Sequence, residues 1–120
     1  MRMFVILGSL NMLLAVALGA FGAHGLKSRV SAEMLAVWQT AVLYHLVHAL
    51  GLLLVGLLAL HLPVRAVGWA LQGGIVLFSG SLYLMVLTGI RPLGMITPLG
   101  GVAFLVGWLL LAQAALKFTG

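Results

Sequence analysis

The chain has 120 residues, of which 64% are hydrophobic and only 6% are charged. Soluble proteins carry about a quarter charged residues, so this composition excludes an ordinary soluble protein and predicts a chain dissolved in lipid. The absence of cysteine excludes disulfides, thiolate metal sites and iron–sulfur clusters. The formal charge of +5 does not indicate nucleic-acid binding, because the charged side chains lie at or near the ends of apolar windows.

Four apolar windows predict four membrane-spanning helices. A helix needs about 20 predominantly apolar residues to cross the hydrocarbon core, which is about 30 Å thick. The predicted spans cover about residues 3–24, 32–61, 66–89 and 97–117. Because short loops make neighbouring helices antiparallel, we expect an all-α, integral membrane antiparallel four-helix bundle, a single domain over residues 1–120.

The first helix carries small residues at steps of three and four, which predicts a face that packs against another helix. These residues are Gly8, Asn11, Ala15, Gly19 and Gly22. A cleaved signal peptide has no reason to keep such a face, so we interpret this segment as a permanent span.

Helix 2 is predicted to begin after Ser31, whose side chain can cap it, with Glu33 in the first turn. Its predicted length is about 45 Å, longer than the hydrocarbon thickness, so its polar first turns are expected at the interface with Trp38 as an anchor. Pro63 is expected to stop or restart the helix. Glu33 is expected to pair with Lys27 or Arg29; the alternative is an acid/base group near His24.

In helix 3, the segment 73–80 is rich in glycine and predicts a surface for helix packing rather than a phosphate loop. Helix 4 is expected to start with Thr97 as cap and Pro98 in its first turn. Gly100 and Gly107 lie on one side of that helix and permit close approach of a neighbour.

Polar side chains inside the spans predict a site in one half of the membrane. His45 and His48 are three residues apart and share a face of helix 2, and the rise per residue places Tyr83 of helix 3 on their side of the midplane. The opposite half is predicted to hold only Ser9, Asn11, Gln72 and Gln113 as uncharged polar groups. The predicted ligand or polar pocket therefore consists of His24, Tyr44, His45, His48, Ser79, Ser81, Tyr83 and Thr97.

Four interpretations of these histidines stay open at the level of sequence. Neutral imidazoles can simply be hydrogen-bonded between helices and stabilise the packing. They can bind a metal ion, with His24, His45 and His48 as the candidate ligands. They can carry protons or ions, or they can line a pocket for a lipid or another hydrophobic small molecule.

Five segments resemble one known family over essentially the whole chain. They are GAFGAHGL at 19–26, YHLVHALGLL at 44–53, FSGSLYL at 78–84, ITPLGG at 96–101 and FLVGW at 104–108. They are similar to the domain-of-unknown-function 423 family, the small membrane proteins called transmembrane protein 256 in animals. The resemblance implies a four-span membrane protein, at the inner membrane in a bacterium, and implies no activity, substrate or cofactor.

The function expected from these observations is non-catalytic binding of a ligand, lipid or partner through the polar pocket. Homo-oligomers are expected, because a chain this small has little room for an internal channel. The alternatives are a histidine-based metal-binding protein or metalloenzyme, and proton or ion passage. The positive-inside rule favours both termini in the cytoplasm, since Arg2, Arg65 and Lys117 share the side of the amino terminus.

Overall fold

The described part of the chain, residues 2–118, folds into four long helices. The structure, a computed structural model, describes residues 2–118, and no strand occurs in that range. Helix α1 spans Arg2–Leu26, α2 spans Ala32–Leu58 and α3 spans Arg65–Thr88. A short 3-10 helix, Arg91–Met95, leads into α4 at Thr97–Leu116. All four helical segments are long and apolar enough to cross a membrane, which confirms the all-α, four-span prediction.

The bundle is flattened, with α2 and α3 in the middle and α1 and α4 at the outside. Its extents are 53 × 25 × 17 Å, and α2 and α3 are far more buried than the outer helices. In the contacts between α1 and α2, residue numbers rise along α1 as they fall along α2. Gly8 faces Leu53, and the Leu18 carbonyl accepts a hydrogen bond from Trp38. The outer helices therefore present large apolar surfaces to the bilayer.

One predicted feature of the helices is confirmed and three are wrong. Ser31 caps α2 as predicted, accepting a bond of 3.1 Å from the Met34 amide. Helix α2 ends at Leu58 rather than near residue 61. Thr97 does not cap α4, because its hydroxyl instead bonds Ser81. Trp38 is no interfacial anchor: it is only 1% exposed, since its indole N–H finds the carbonyl of Leu18 inside the bundle.

Helix α3 is interrupted at its centre by a π-helical turn, Ile75–Ser79, in which the Gly80 amide donates to the Ile75 carbonyl. One wide turn rotates the residues that follow it relative to a regular α-helix, and such turns are frequent at functional sites. The Ser79 hydroxyl is fully buried and donates to the Ala41 carbonyl of α2 over 2.8 Å. A second π-helical turn, Gly22–Leu26, ends α1.

Helices α3 and α4 approach each other closely at Gly100. A Cβ on Gly100 would lie 2.3 Å from the backbone nitrogen of Phe78, a distance that no relaxed structure tolerates. The neighbouring Gly101 has room, since the nearest atom, on the Phe78 ring, would be 4.0 Å from its Cβ. The predicted packing surface of α4 is thus confirmed at Gly100, where the backbone of Phe78 occupies the space that a side chain would need.

We predict that Gly100→Ala lowers the free energy of unfolding by about 1–3 kcal/mol, the usual cost of overpacking. Gly101→Ala is the matched control, because it carries the same change in helix propensity without the clash. Unfolding of both variants in mixed detergent micelles, followed by circular dichroism, measures the difference. Equal stability of the two variants would show that α3 and α4 do not touch at Gly100.

Candidate functional site

A hydrogen-bonded chain of four side chains joins α1, α2 and α3 at the centre of the bundle. His45 of α2 is 2% exposed. Its Nδ1 lies 2.9 Å from the Tyr83 hydroxyl of α3, and its Nε2 lies 3.0 Å from Asn11 Oδ1 of α1. Asn11 Nδ2 in turn donates to Gln72 Oε1 of α3 over 2.8 Å. We call Asn11, His45, Gln72 and Tyr83 the His45 network.

The donors and acceptors of this network follow from its fixed end. Asn11 Nδ2 also donates to the Leu7 carbonyl over 2.8 Å, and a carbonyl only accepts, so the amide oxygen must face His45. Neutral His45 therefore donates from Nε2 to Asn11, and its Nδ1 accepts from the Tyr83 hydroxyl. Each group meets its complement, which is why a histidine can lie buried there without a charged partner.

His48 belongs to a second group, between α2 and α4. Its Nδ1 lies 2.7 Å from the Tyr44 carbonyl, and its Nε2 accepts from the Trp108 indole N–H over 3.0 Å. The ring stacks on Phe104 at a centroid distance of 3.5 Å. Since the carbonyl only accepts and the indole only donates, His48 is the neutral tautomer protonated at Nδ1. A second proton on Nε2 would point at the indole N–H.

The two histidines therefore do not form one site, contrary to the expectation from their spacing. His45 contacts α1 and α3, whereas His48 contacts α4. The spacing of three residues separates the rings enough around α2 for each to meet different neighbours. The helix that contacts each ring is set by the tertiary packing.

Polar groups that were predicted for two different membrane halves are joined in one network. Asn11 and Gln72, which sequence reasoning placed in the half opposite the histidines, are members of the His45 network. Along α3, Gln72 and Tyr83 are about 16 Å apart, so the network extends through the middle of the bundle. The position of a residue along its helix does not include the reach of its side chain between helices, so it does not predict these contacts.

The remaining predicted site residues lie outside the His45 network. Tyr44 is 40% exposed and packs on Phe78 and, as predicted, against His48. Ser81 and Thr97 share a hydroxyl–hydroxyl bond of 2.6 Å between α3 and the start of α4. His24 is exposed on the π-helical turn of α1. Ser79, bonded to the Ala41 carbonyl, reaches neither histidine.

The structure gives no support to the metal-site interpretation. Among residues 2–118, no group of three or more His, Asp or Glu side chains is close enough to hold a metal ion. Both ring nitrogens of His45 and of His48 already have protein partners. His24, the third candidate, lies on an exposed turn and joins neither of them.

Glu33 pairs with a residue that sequence reasoning did not consider. Its carboxylate lies 3.2 Å from the Arg91 guanidinium, and both side chains are about two-thirds exposed, at 69% and 68%. The expected pairing with Lys27 or Arg29 is wrong, because the start of α2 and the segment after α3 meet at the same end of the bundle. An exposed pair of this kind contributes little stability.

The His45 network does not form a path for protons. Tyr83 and His45 can exchange a proton along their hydrogen bond, but the next member, Asn11, is an amide. An amide donates from nitrogen and accepts at oxygen without passing a proton between them. The route from Tyr83 therefore stops at Asn11.

A cleft between α1 and α3 exposes one side of the His45 network. It has a volume of about 290 Å³, and its polar members are Asn11, His45, Gln72 and Tyr83. Its apolar wall consists of Leu14, Ile75, Val76 and Gly80. Gln72 Oε1 accepts from Asn11, while the Gln72 NH2 group has no hydrogen-bond partner within residues 2–118. We call this the α1–α3 cleft.

We predict that His48 carries its proton on Nδ1 and His45 on Nε2, since their partners require these tautomers. ¹⁵N NMR of the histidine side chains in micelles distinguishes the two forms, and His45→Gln and His48→Gln variants assign the signals. Finding the proton of His48 on Nε2 would contradict its bond from Trp108. The exposed His24 and His61 serve as internal references that no buried partner constrains.

Comparisons with known proteins identify the family. The model of a family described as a protein of unknown function (DUF423) matches residues 18–101. A UPF0382 membrane protein of Staphylococcus epidermidis is 51% identical to this chain, over 100% of both. The UPF0382 membrane protein YwdK of Bacillus subtilis is 53% identical, over 98% of this chain and 99% of its own. No solved structure matches. Sequence similarity over the full length and the four apolar helices agree, and the chain belongs to the DUF423 family of membrane proteins.

Proposed function

We propose that this protein binds a membrane lipid, without catalysis, in the α1–α3 cleft. The observation that carries the proposal concerns Gln72, which lines the cleft and whose NH2 group has no protein acceptor among the described residues. Within a membrane the acceptor for these hydrogen bonds must come from a lipid or from the little water present, and an unsatisfied polar group is costly there. A lipid carbonyl or hydroxyl would supply the missing acceptor.

The form of the cleft supports a lipid over a water-soluble ligand. Leu14, Ile75 and Val76 give it an apolar wall, and it is open at the surface of the bundle rather than enclosed. Its 290 Å³ is at the lower end of ligand pockets, which hold about 300–1,000 Å³. Part of a lipid fits, and the remainder would stay among its neighbours in the membrane.

The His45 network would keep the binding group in place. Asn11 fixes the Gln72 amide by holding its oxygen, so the NH2 group is directed away from Asn11. Asn11 is itself held by His45 and by the Leu7 carbonyl. On this proposal the buried histidine positions a recognition group and does not react.

The membrane that holds the protein and its orientation there are part of the same proposal. We infer the inner membrane of a bacterium, in line with the bacterial relatives, with the end that bears Arg2, Arg65 and Lys117 in the cytoplasm. Self-association would use the outer faces of α1 and α4, where Leu13 and Leu105 are 70% and 71% exposed. These faces can contact lipid or a second copy equally well.

We predict that Gln72→Leu lowers the amount of lipid that stays bound during purification in mild detergent. Loss of one hydrogen bond of about 1 kcal/mol weakens binding about fivefold. Lipid extracted from a known amount of protein is quantified by mass spectrometry. Gln113→Leu, on an exposed position of α4, removes the same amide away from the cleft and is expected to retain lipid like the wild type.

Native mass spectrometry of the same samples supplies the second readout. The proposal expects lipid-bound species in the wild type, with the number of copies visible in the mass. A strictly monomeric, lipid-free wild-type protein contradicts it. The α1–α3 cleft is also contradicted as the site if Gln72→Leu and Gln113→Leu lose the same amount of lipid, or if neither variant loses any.

A further inference from the structure

We propose that the lipid is an anionic glycerophospholipid, with its phosphate at Arg2 and one acyl chain along the α1–α3 seam. This inference rests on the proposed function and names the class of lipid. It draws on a second cleft, of about 560 Å³, that is lined by Arg2, Met3, Ile6, Leu7 and Trp69. None of these residues belongs to the His45 network.

The two clefts follow one another along the same pair of helices. On α1, Leu7 lines the second cleft, and its carbonyl accepts the Asn11 amide of the α1–α3 cleft. On α3, Trp69 of the second cleft precedes Gln72 by less than one turn. On this inference an acyl chain lies along α1 and α3 and runs from Arg2 to Gln72.

The order of chemical groups along this seam matches a glycerophospholipid. Phe4 packs over Gly68, which puts Arg2 at the level of the start of α3. Gln72 is then about 9 Å deeper along the helix axis. The seam thus offers a cation first, then the Gln72 NH2 donor, then the apolar wall of the α1–α3 cleft. The lipid offers a phosphate, then an ester carbonyl, then an acyl chain.

Charge supports an anionic over a zwitterionic headgroup. Arg2, Arg65 and Lys117 all lie at this end of the bundle, and Arg65 lines a neighbouring cleft that shares Met3 with the second one. The chain has one acidic residue, and that residue, Glu33, pairs with Arg91 at the opposite end. Among residues 2–118, no acidic side chain therefore lies here to repel a phosphate.

The residues around Arg2 suit the membrane interface. A guanidinium offers paired donors that match the geometry of a phosphate. Trp69 is 46% exposed and meets Phe4 edge-on at 5.7 Å, so an indole faces the second cleft beside the arginine. Tryptophan is favoured at the level of lipid headgroups. Arg2 and Trp69 together thus form a headgroup site at the mouth of the seam.

The experiment is a competition between two lipids of equal acyl chains, phosphatidylglycerol and phosphatidylcholine, added in equal amounts to delipidated full-length protein in a neutral detergent. Native mass spectrometry counts each bound form. Wild type is expected to favour phosphatidylglycerol. Arg2→Gln is expected to lower that preference about fivefold, the effect of removing the attraction of one interfacial cation. Arg2→Lys keeps the charge and is expected to keep most of the preference.

Lys117→Gln is the matched control, since it removes a cation from the same end of the bundle without touching either cleft. It is expected to leave the preference close to that of the wild type. An equal loss in Arg2→Gln and Lys117→Gln would overturn the inference, because the preference would then come from overall surface charge. Circular dichroism establishes that the variants keep their helix content.

Gln72→Leu separates failure of this inference from failure of the proposed function. If the seam binds lipid, this variant binds less of both lipids while keeping the ratio between them. Suppose that the wild type binds the two lipids equally and that Gln72→Leu binds less of both. This result refutes an anionic lipid as the ligand and leaves lipid binding in the seam intact. If Gln72→Leu binds as much lipid as the wild type, the seam is refuted as the binding site, whatever the ratio of the two lipids.

Discussion

The dominant constraint on this protein is that its buried polar groups lie where water cannot reach them. In the hydrocarbon core a polar side chain must find its partner within the protein, or in a ligand, because the solvent offers none. His45 meets this constraint by connecting three helices through Tyr83 and Asn11, and His48 meets it through Tyr44 and Trp108. No buried side-chain nitrogen or oxygen of the described residues is left without a hydrogen bond. The partly exposed Gln72 NH2 group is notable against this background, since it lies at the edge of the same network.

The close helix contacts allow such a network to exist in so small a bundle. Gly8 against Leu53 and Gly100 against Phe78 bring backbones together, so that short side chains can reach between helices. The π-helical turn at Ile75–Ser79 lies between Gln72 and Tyr83, the two residues that α3 contributes to the network. A wide turn changes the direction in which residues on its two sides project. The π-helical turn thus sets the direction of Tyr83 relative to Gln72.

Much of the fold could be predicted from sequence, because the bilayer requires long apolar segments and the cap at Ser31 marks where α2 begins. Gly100 could also be predicted as a contact between helices, because small residues permit close approach.

The site could be predicted only in part. Sequence reasoning identified His45 and Tyr83 but treated Asn11 and Gln72 as residues of the other membrane half, and it assigned Trp38 to the interface. Rotation of each helix about its axis decides these contacts, and neither hydropathy nor position along the chain contains that angle. The Glu33 partner was missed because Arg91 is distant in sequence and adjacent only in the folded bundle.

The central claim is that the Gln72 NH2 group donates to a lipid in the seam between α1 and α3. Nuclear Overhauser effects between the Gln72 side-chain NH2 protons and a protonated phospholipid, measured in deuterated detergent, test this contact most directly. The account predicts cross-peaks to glycerol or acyl-chain protons near the ester groups. Cross-peaks from this NH2 group only to protein protons, within the chain or from a second copy, would contradict it.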